Sequence, residues 1–284
     1  DITGKLTSNG TNAIVNNSTL RNQFESTNSG LTFSNNSTVT GTAIFGGTNP
    51  IINTNVFTLG VTLSGADSNN DDNIKGNTFN STLAINQSGH KFNKDSNDNK
   101  NVFGGAVSIS ADGDTTVITS GDFNATATLT TNAGASGVNV SQSTFEEAVT
   151  ISGASSTLNN NTYASTVAME GATATFTNNG TVAGTATFSG TNPNIDSNTF
   201  TVGVTISEAN SDANIIHSSN TYNGAVNVNA NGHNFNGSSF NNTLSGSGNS
   251  LTFNTDGDNG NRNTFAGAIT LTGTNITINN NTLN

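Results

Sequence analysis

The 284-residue chain has no cysteine and no tryptophan, only two prolines, and only seven lysines and arginines together. Without cysteine there can be no disulfide framework and no thiolate metal site. Only 9% of residues are charged and 31% hydrophobic, a balance that hydropathy alone would class as disordered. The formal net charge of −11 argues against nucleic acid or an anionic membrane surface as a partner. No run of about 18 apolar residues exists, so no helix-type membrane span is expected in this segment. No window places apolar residues at i, i+3, i+4 and i+7 over three turns, so essentially no helix is expected.

What fills the chain instead is asparagine and threonine, 53 and 47 residues, about a third of the total. A composition this polar could be disordered, but the apolar residues recur too regularly for that. The clearest unit is Asn261-Arg-Asn-Thr-Phe-Ala-Gly-Ala-Ile-Thr-Leu-Thr-Gly273: a turn, an aromatic, small residues, then an alternating strand. The same phrase opens at Asn161-Thr-Tyr163, Asn198-Thr-Phe200 and Asn220-Thr-Tyr222. Taking the aromatic slot as marker gives Phe24, Val39, Phe57, Phe79, Phe103, Phe123, Phe145, Tyr163, Val182, Phe200, Tyr222, Phe240, Phe265 and Leu283. Their gaps run from 15 to 25 residues and average about 20. The leucine-rich-repeat frame of similar period is absent.

Within a unit the apolar period is 2, as in Ala148-Val-Thr-Ile151 and Val204-Thr-Ile206, which means strand. A second strand follows in many units, for example Leu31-Thr-Phe33 and Ile276-Thr-Ile278. A short third strand then carries the aromatic. So short a unit cannot bury its own apolar face and must stack on copies of itself. The expected fold is all-β: a parallel β-helix over residues 1–284, with about 14 coils of about 20 residues. At about 4.8 Å per coil that is a stack on the order of 65 Å. Gly and Asn supply the positive-φ corners, and stacked Asn can form side-chain ladders.

In chain order, residues 1–23 read as an irregular start, with Ala13-Ile-Val15 as the first convincing strand. Coils lengthen in a loop-rich zone over 66–100 and again over 241–262, and these are the expected lateral contact surfaces. Residues 93–99 are the piece whose deletion would test that. Residues 36–92 echo 179–235 at an offset of 143, including Gly41-Thr-Ala-Ile-Phe-Gly-Gly-Thr-Asn-Pro50 against Gly184-Thr-Ala-Thr-Phe-Ser-Gly-Thr-Asn-Pro193. No helix or charged stretch caps either end. Two explanations follow: the natural chain is longer, the favoured reading, or open ends stack on other subunits.

Candidate chemistry is sparse. Glycan-cleaving β-helices need two or three carboxylates across a groove. The adjacent pairs here are Glu146-Glu147 and Asp71-Asp72, and neighbours on a strand point to opposite faces. Arg21 and Arg262 are the only arginines and lie near opposite ends. His90 and His233 are echoes of one repeat position, which favours a turn role over catalysis. No catalytic or cofactor-binding residue is assigned. Ala111-Asp-Gly-Asp114 and Asn254-Thr-Asp-Gly-Asp258 resemble fragments of oxygen-rich calcium loops. They lack the distal Glu of an EF-hand, so an Asp-Gly turn is the plainer reading. Asp112, Asp114, Asp256 and Asp258 are the weak candidates for Ca2+. Thr126-Ala-Thr128, Thr173-Ala-Thr175 and Thr185-Ala-Thr187 raise ice binding, but other coils carry Val107-Ser-Ile109 or Val226-Asn-Val228 instead. Ordinary outward strand threonine explains them better.

The recurring Asn-Thr-Phe/Tyr-x-Gly-Ala-Val/Ile-x-Leu/Ile, with Asn-Asn-Asn-Thr between strands, resembles repeats in passenger domains of vacuolating-cytotoxin-like bacterial autotransporters. The likeness spans nearly the whole chain. It implies a right-handed parallel β-helix, export across the outer membrane, and a cell-surface, extracellular location. It further implies a non-catalytic part in adhesion and colonisation, or as a stalk, with a host or neighbouring-cell receptor or glycan as partner. The family's translocator barrel, signal and apolar pore segment have no counterpart in these residues, so pore formation is not carried over. Two alternatives stand beside it: a structural subunit of an extracellular filament or sheath through end-to-end self-association, and a glycan-acting β-helix enzyme.

Overall fold

The computed structural model describes residues 1–36, 38–68, 73–93, 99–111, 114–131, 137–212, 215–254 and 258–284. The chain is an all-β solenoid of about 13 turns with about 19 residues per turn. It clusters into two compact units, Asp1–Ala148 and Val149–Asn284, built on the same plan. In the first unit each coil contributes one strand to each of three parallel sheets. The first sheet begins with Leu6–Ser8, Phe24–Ser26 and Ala43–Phe45, the second with Ile14–Asn16, Thr32–Ser34 and Ile51–Asn53, and the third with Thr19–Leu20, Thr38–Val39 and Val56–Phe57. The second unit repeats the order from Val149–Ser152, Thr157–Asn159 and Thr162–Tyr163 onward. The only helical element among the described residues is one 3-10 turn at Asn259–Asn261.

Register does the packing. Strands pair parallel and in step, so each inward side chain lies over its equivalent in the neighbouring coil. In the third sheet Phe57, Phe79, Phe103, Phe123 and Phe145 form one buried column. Their rings stack at 5.3, 5.5, 4.5 and 4.4 Å between centroids. In the second unit Phe200, Tyr222, Phe240 and Phe265 stack at 5.3, 4.9 and 5.0 Å. Tyr163 is buried in the same slot, reached through Val182. Aromatic pairs of this kind add about 0.5–1.5 kcal/mol each beyond the area they bury.

Phe24 does not belong to that column. It pairs with Leu6 and Ala43 in the first sheet, and Leu20 holds the slot beside Val39. Phe24 is inward-facing, and its ring meets Phe33 and Phe45 in the interior at 4.6 and 5.4 Å. An aromatic alone therefore does not identify the slot. Residues 1–23 are correspondingly regular: Leu6–Ser8, Ile14–Asn16 and Thr19–Leu20 are strands of the shared sheets.

Two corners of most coils use the left-handed region. Asn12, Asn49, Asn192 and Asn275 do so before second-sheet strands, and Asn17, Asn35, Asn160, Asn178 and Asn280 after them. Asn tolerates this conformation better than other non-glycine residues. At other corners the reason for glycine is closeness. A methyl group on Gly171 would run into the Gly153 carbonyl oxygen, and one on Gly190 into that of Gly171.

The residue after the second corner builds the buried polar element of the fold. In the first unit Asn36, Asn55 and Asn77 donate through Nδ2 to Oδ1 of the next asparagine, Asn55, Asn77 and Asn101, at 3.1, 2.9 and 3.1 Å. The same oxygens accept the backbone N–H of Asn36, Asn55 and Asn77 at 3.1, 3.0 and 3.1 Å. In the second unit the ladder runs Asn161, Asn179, Asn198, Asn220, Ser238, Asn263, Asn281. Each rung satisfies backbone groups that the turn would otherwise bury unpaired, at about 1–3 kcal/mol apiece.

Two outcomes are expected in chemical denaturation. Asn198→Ala removes the acceptor for Asn179 N–H and the donor to the Phe176 carbonyl at 2.9 Å, and should cost about 3 kcal/mol or more. Tyr222→Phe keeps both ring stacks and removes a buried hydroxyl that has no hydrogen-bond partner. It should raise stability by about 1 kcal/mol.

Candidate functional site

The aromatic residues expected as a stack are all interior, so they are structural rather than a ligand platform. Asp114 and Asp258 are exposed, and Asp258 caps the 3-10 turn by accepting Gly260 N–H at 3.2 Å. Asp112 and Asp256 lie outside the described residues, as do Asp71 and Asp72. Among the described residues no three His, Cys, Asp or Glu side chains come together as a metal cluster. Glu146 and Glu147 are not on a strand. They occupy the exposed corner between Thr144–Phe145 and Val149–Ser152, so the alternation of faces does not apply to them. Arg21 pairs with Asp1 at 2.9 Å on the surface, and Arg262 is exposed.

The Thr-x-Thr pairs fall on different sheets: Thr128 and Thr187 face out from the first and Thr175 from the second. A longer row lies on the third sheet. In the second unit Thr162, Thr181, Thr199, Thr221, Ser239, Thr264 and Thr282 share the outward slot of the third sheet.

Among the described residues of the second unit, two buried histidines lie in contact. His233 fills an inward corner position, as its sequence echo with His90 suggests. His217 does something the repeat pattern did not announce: it takes the second-sheet core slot held by Ile195 and Phe235 in neighbouring coils. Its ring lies 4.9 Å from that of Phe235. His217 Nε2 and His233 Nδ1 are 2.8 Å apart, and His233 Nε2 is 2.9 Å from the Glu208 carbonyl oxygen. A carbonyl only accepts, so His233 carries its proton on Nε2. His233 Nδ1 must then accept, and His217 Nε2 donates. That leaves His217 Nδ1 as a bare lone pair, buried and without a partner. A proton added there would put a charge and an unsatisfied N–H into an apolar interior. Burial, then the neighbouring His233, holds the His217 pKa well below the ordinary histidine value.

His90 is the solitary counterpart in the first unit. It is fully buried and neither ring nitrogen makes a hydrogen bond of normal geometry. Burial dominates its titration, the Gly65 carbonyl opposes it weakly, and Lys91 adds to it, so the pKa falls from 6.5 to about 4. These imidazoles are neutral core groups with no access to a substrate. Comparison with protein-family models, curated proteins and solved structures found no match.

Acid sensitivity follows from the sign of the shift. A histidine depressed in the folded state is neutral there, while the unfolded chain takes up a proton below about pH 6.5. Its contribution is therefore complete above that value and is lost as pH falls towards 4, by about 3 kcal/mol for His90. Denaturation midpoints measured from pH 7 to 4 should fall steeply in the native chain. They should fall less in His90→Leu and in the double variant His217→Ile with His233→Leu.

Proposed function

We propose that the chain is a non-catalytic, surface-exposed scaffold of the autotransporter-passenger kind, serving adhesion and colonisation or extending other segments from a bacterial cell. The single observation that supports this is where the departures from regularity occur. Sheet positions keep one register from coil to coil, and apart from the five-residue strands Val107–Ala111 and Ala127–Thr131 the extra residues enter between strands. The longest links are 64–73 and 207–215 between first and second strands, and 93–101 and 254–263 between second and third. A scaffold of this design holds corner loops at fixed positions without altering its core. The outward strand positions are mostly Thr, Ser and Asn, which suits contact with a hydrated receptor or glycan. The repeat phrase built on Asn-Thr-Phe/Tyr supplies the cell-surface setting.

Of the loop expected at 93–99, residues 94–98 lie outside the described residues, and the alteration is confined to them. Asn93 is buried and accepts from Asn101 Nδ2 at 3.0 Å, so it belongs to the ladder rather than the loop. Replacing 94–98, and separately 255–257, by Gly-Gly should leave the far-UV circular dichroism unchanged. Binding to intact host cells or to a glycan array should then drop by roughly tenfold or more for at least one variant. Full binding by both variants would contradict the proposal, as would release of reducing sugar from any glycan on the panel.

A further inference from the structure

The first unit carries a buried lysine that the repeat pattern does not require. Lys91 is 8% exposed, and its Nζ donates to the Thr115 carbonyl at 2.8 Å. Ile74 and Phe92 pair in register, so Asn73, just before its strand, is the register neighbour of Lys91 in the following coil. Asn73 is 3% exposed, and its Nδ2 donates at 2.9 Å to Oδ2 of Asp67, also 3% exposed. A carboxamide and a carboxylate are thus in contact in one coil, and the register neighbour of the carboxamide is a buried lysine whose amine turns the other way, to the Thr115 carbonyl of the following coil. The internal duplication offers a comparison. At the offset of 143 the flanking Gly89, His90 and Phe92 keep their types as Gly232, His233 and Phe235. Asp67, Asn73 and Lys91 become Asn210, Ile216 and Asn234. The scaffold folds without the three groups, and all three are replaced together.

We propose that Lys91 and Asn73 are the site of an intramolecular isopeptide bond formed with Asp67 as proton relay. Neighbouring parallel strands lie about 4.8 Å apart, within reach of a lysine side chain that swings from the Thr115 carbonyl to its other neighbour. Asp67 takes a proton from the Lys91 ammonium, and the free amine attacks Cγ of Asn73. Asp67 then passes that proton to Nδ2, the atom it already touches, and takes one from the new C–N nitrogen. The Cγ–Nδ2 bond breaks and ammonia leaves. One amide is exchanged for another, no oxidant or reductant is needed, and the chain loses the mass of one NH3, about 17 Da. Burial favours the step by keeping competing water from Cγ. The product would tie two successive coils covalently beside the long corners at 64–73 and 93–101.

The test is mass spectrometry of the full-length folded chain after prolonged incubation at neutral pH. Cyclisation of an asparagine to a succinimide gives the same mass loss, so the decisive readout is the tryptic map. The expected result is peptide 22–75 joined to peptide 76–94, uncleaved after Lys91. The joined species should be lost in Lys91→Arg and in Asn73→Ser, and reduced at least tenfold in Asp67→Ala. Circular dichroism like that of the native chain would show that the variants fold. Complete cleavage after Lys91 in the native chain, with peptide 22–75 recovered alone, would overturn the proposal. So would a joined species that persists in Asn73→Ser.

Discussion

A chain that turns three times in every 19 residues or so must bring backbone donors and acceptors to its interior corners, where water cannot reach them. The asparagine ladder is what makes such a corner tolerable. Oδ1 of Asn77, for example, accepts both the backbone N–H and the side-chain Nδ2 of Asn55, while its own Nδ2 donates to the Ile52 carbonyl at 2.7 Å. One side chain therefore satisfies three groups, two of them on the backbone and the third the asparagine at the same height in the neighbouring coil. Hydrogen bonding at the corner and register in the sheets impose the same condition on the sequence.

That condition explains much of the composition. Asn is used twice at the second corner: the first residue adopts the left-handed backbone and the second enters the ladder, as in Asn35-Asn36, Asn160-Asn161 and Asn178-Asn179. Thr follows because the next outward strand position favours a β-branched side chain that tolerates water. Phe or Tyr comes next because the inward position faces a column of its equivalents. The recurring Asn-Thr-Phe/Tyr phrase is thus three consecutive physical demands. Ser143 and Ser238 show that a hydroxyl can replace the ladder amide locally, accepting the N–H of Gly121 and Asn220.

The strand period, the three strands per coil and the aromatic column were legible in the sequence because each depends on short-range alternation repeated many times. Four features were not. Phe24 reads as the marker of a slot that Leu20 holds, because an inward aromatic on the first sheet looks the same in one dimension as one on the third. Glu146 and Glu147 read as strand residues because nothing local marks that corner, where Asn, Ala, Thr or Gly follows the slot's aromatic in other coils. His217 was missed because the duplication aligns it with Ile74, an ordinary core residue. Only the approach of His233 to 2.8 Å shows that His217 meets a polar partner there, the histidine that both copies carry. The adjacency of Asn73 and Lys91 was similarly hidden, since it comes from strand register rather than sequence distance. The threonine row of the third sheet is visible in hindsight as the residue preceding each aromatic.

The most direct measurement of the central claim is amide hydrogen exchange at single-residue resolution. If the ladder seals the corners, the backbone amides of Asn36, Asn55, Asn77, Asn179 and Asn198 should exchange as slowly as strand amides such as those of Val61 and Val204, although they lie in turns. The exposed corner amide of Gln23, which meets only the side chain of its neighbour Asn22, should exchange far faster. Ladder amides that exchange at the rate of Gln23 would contradict the account.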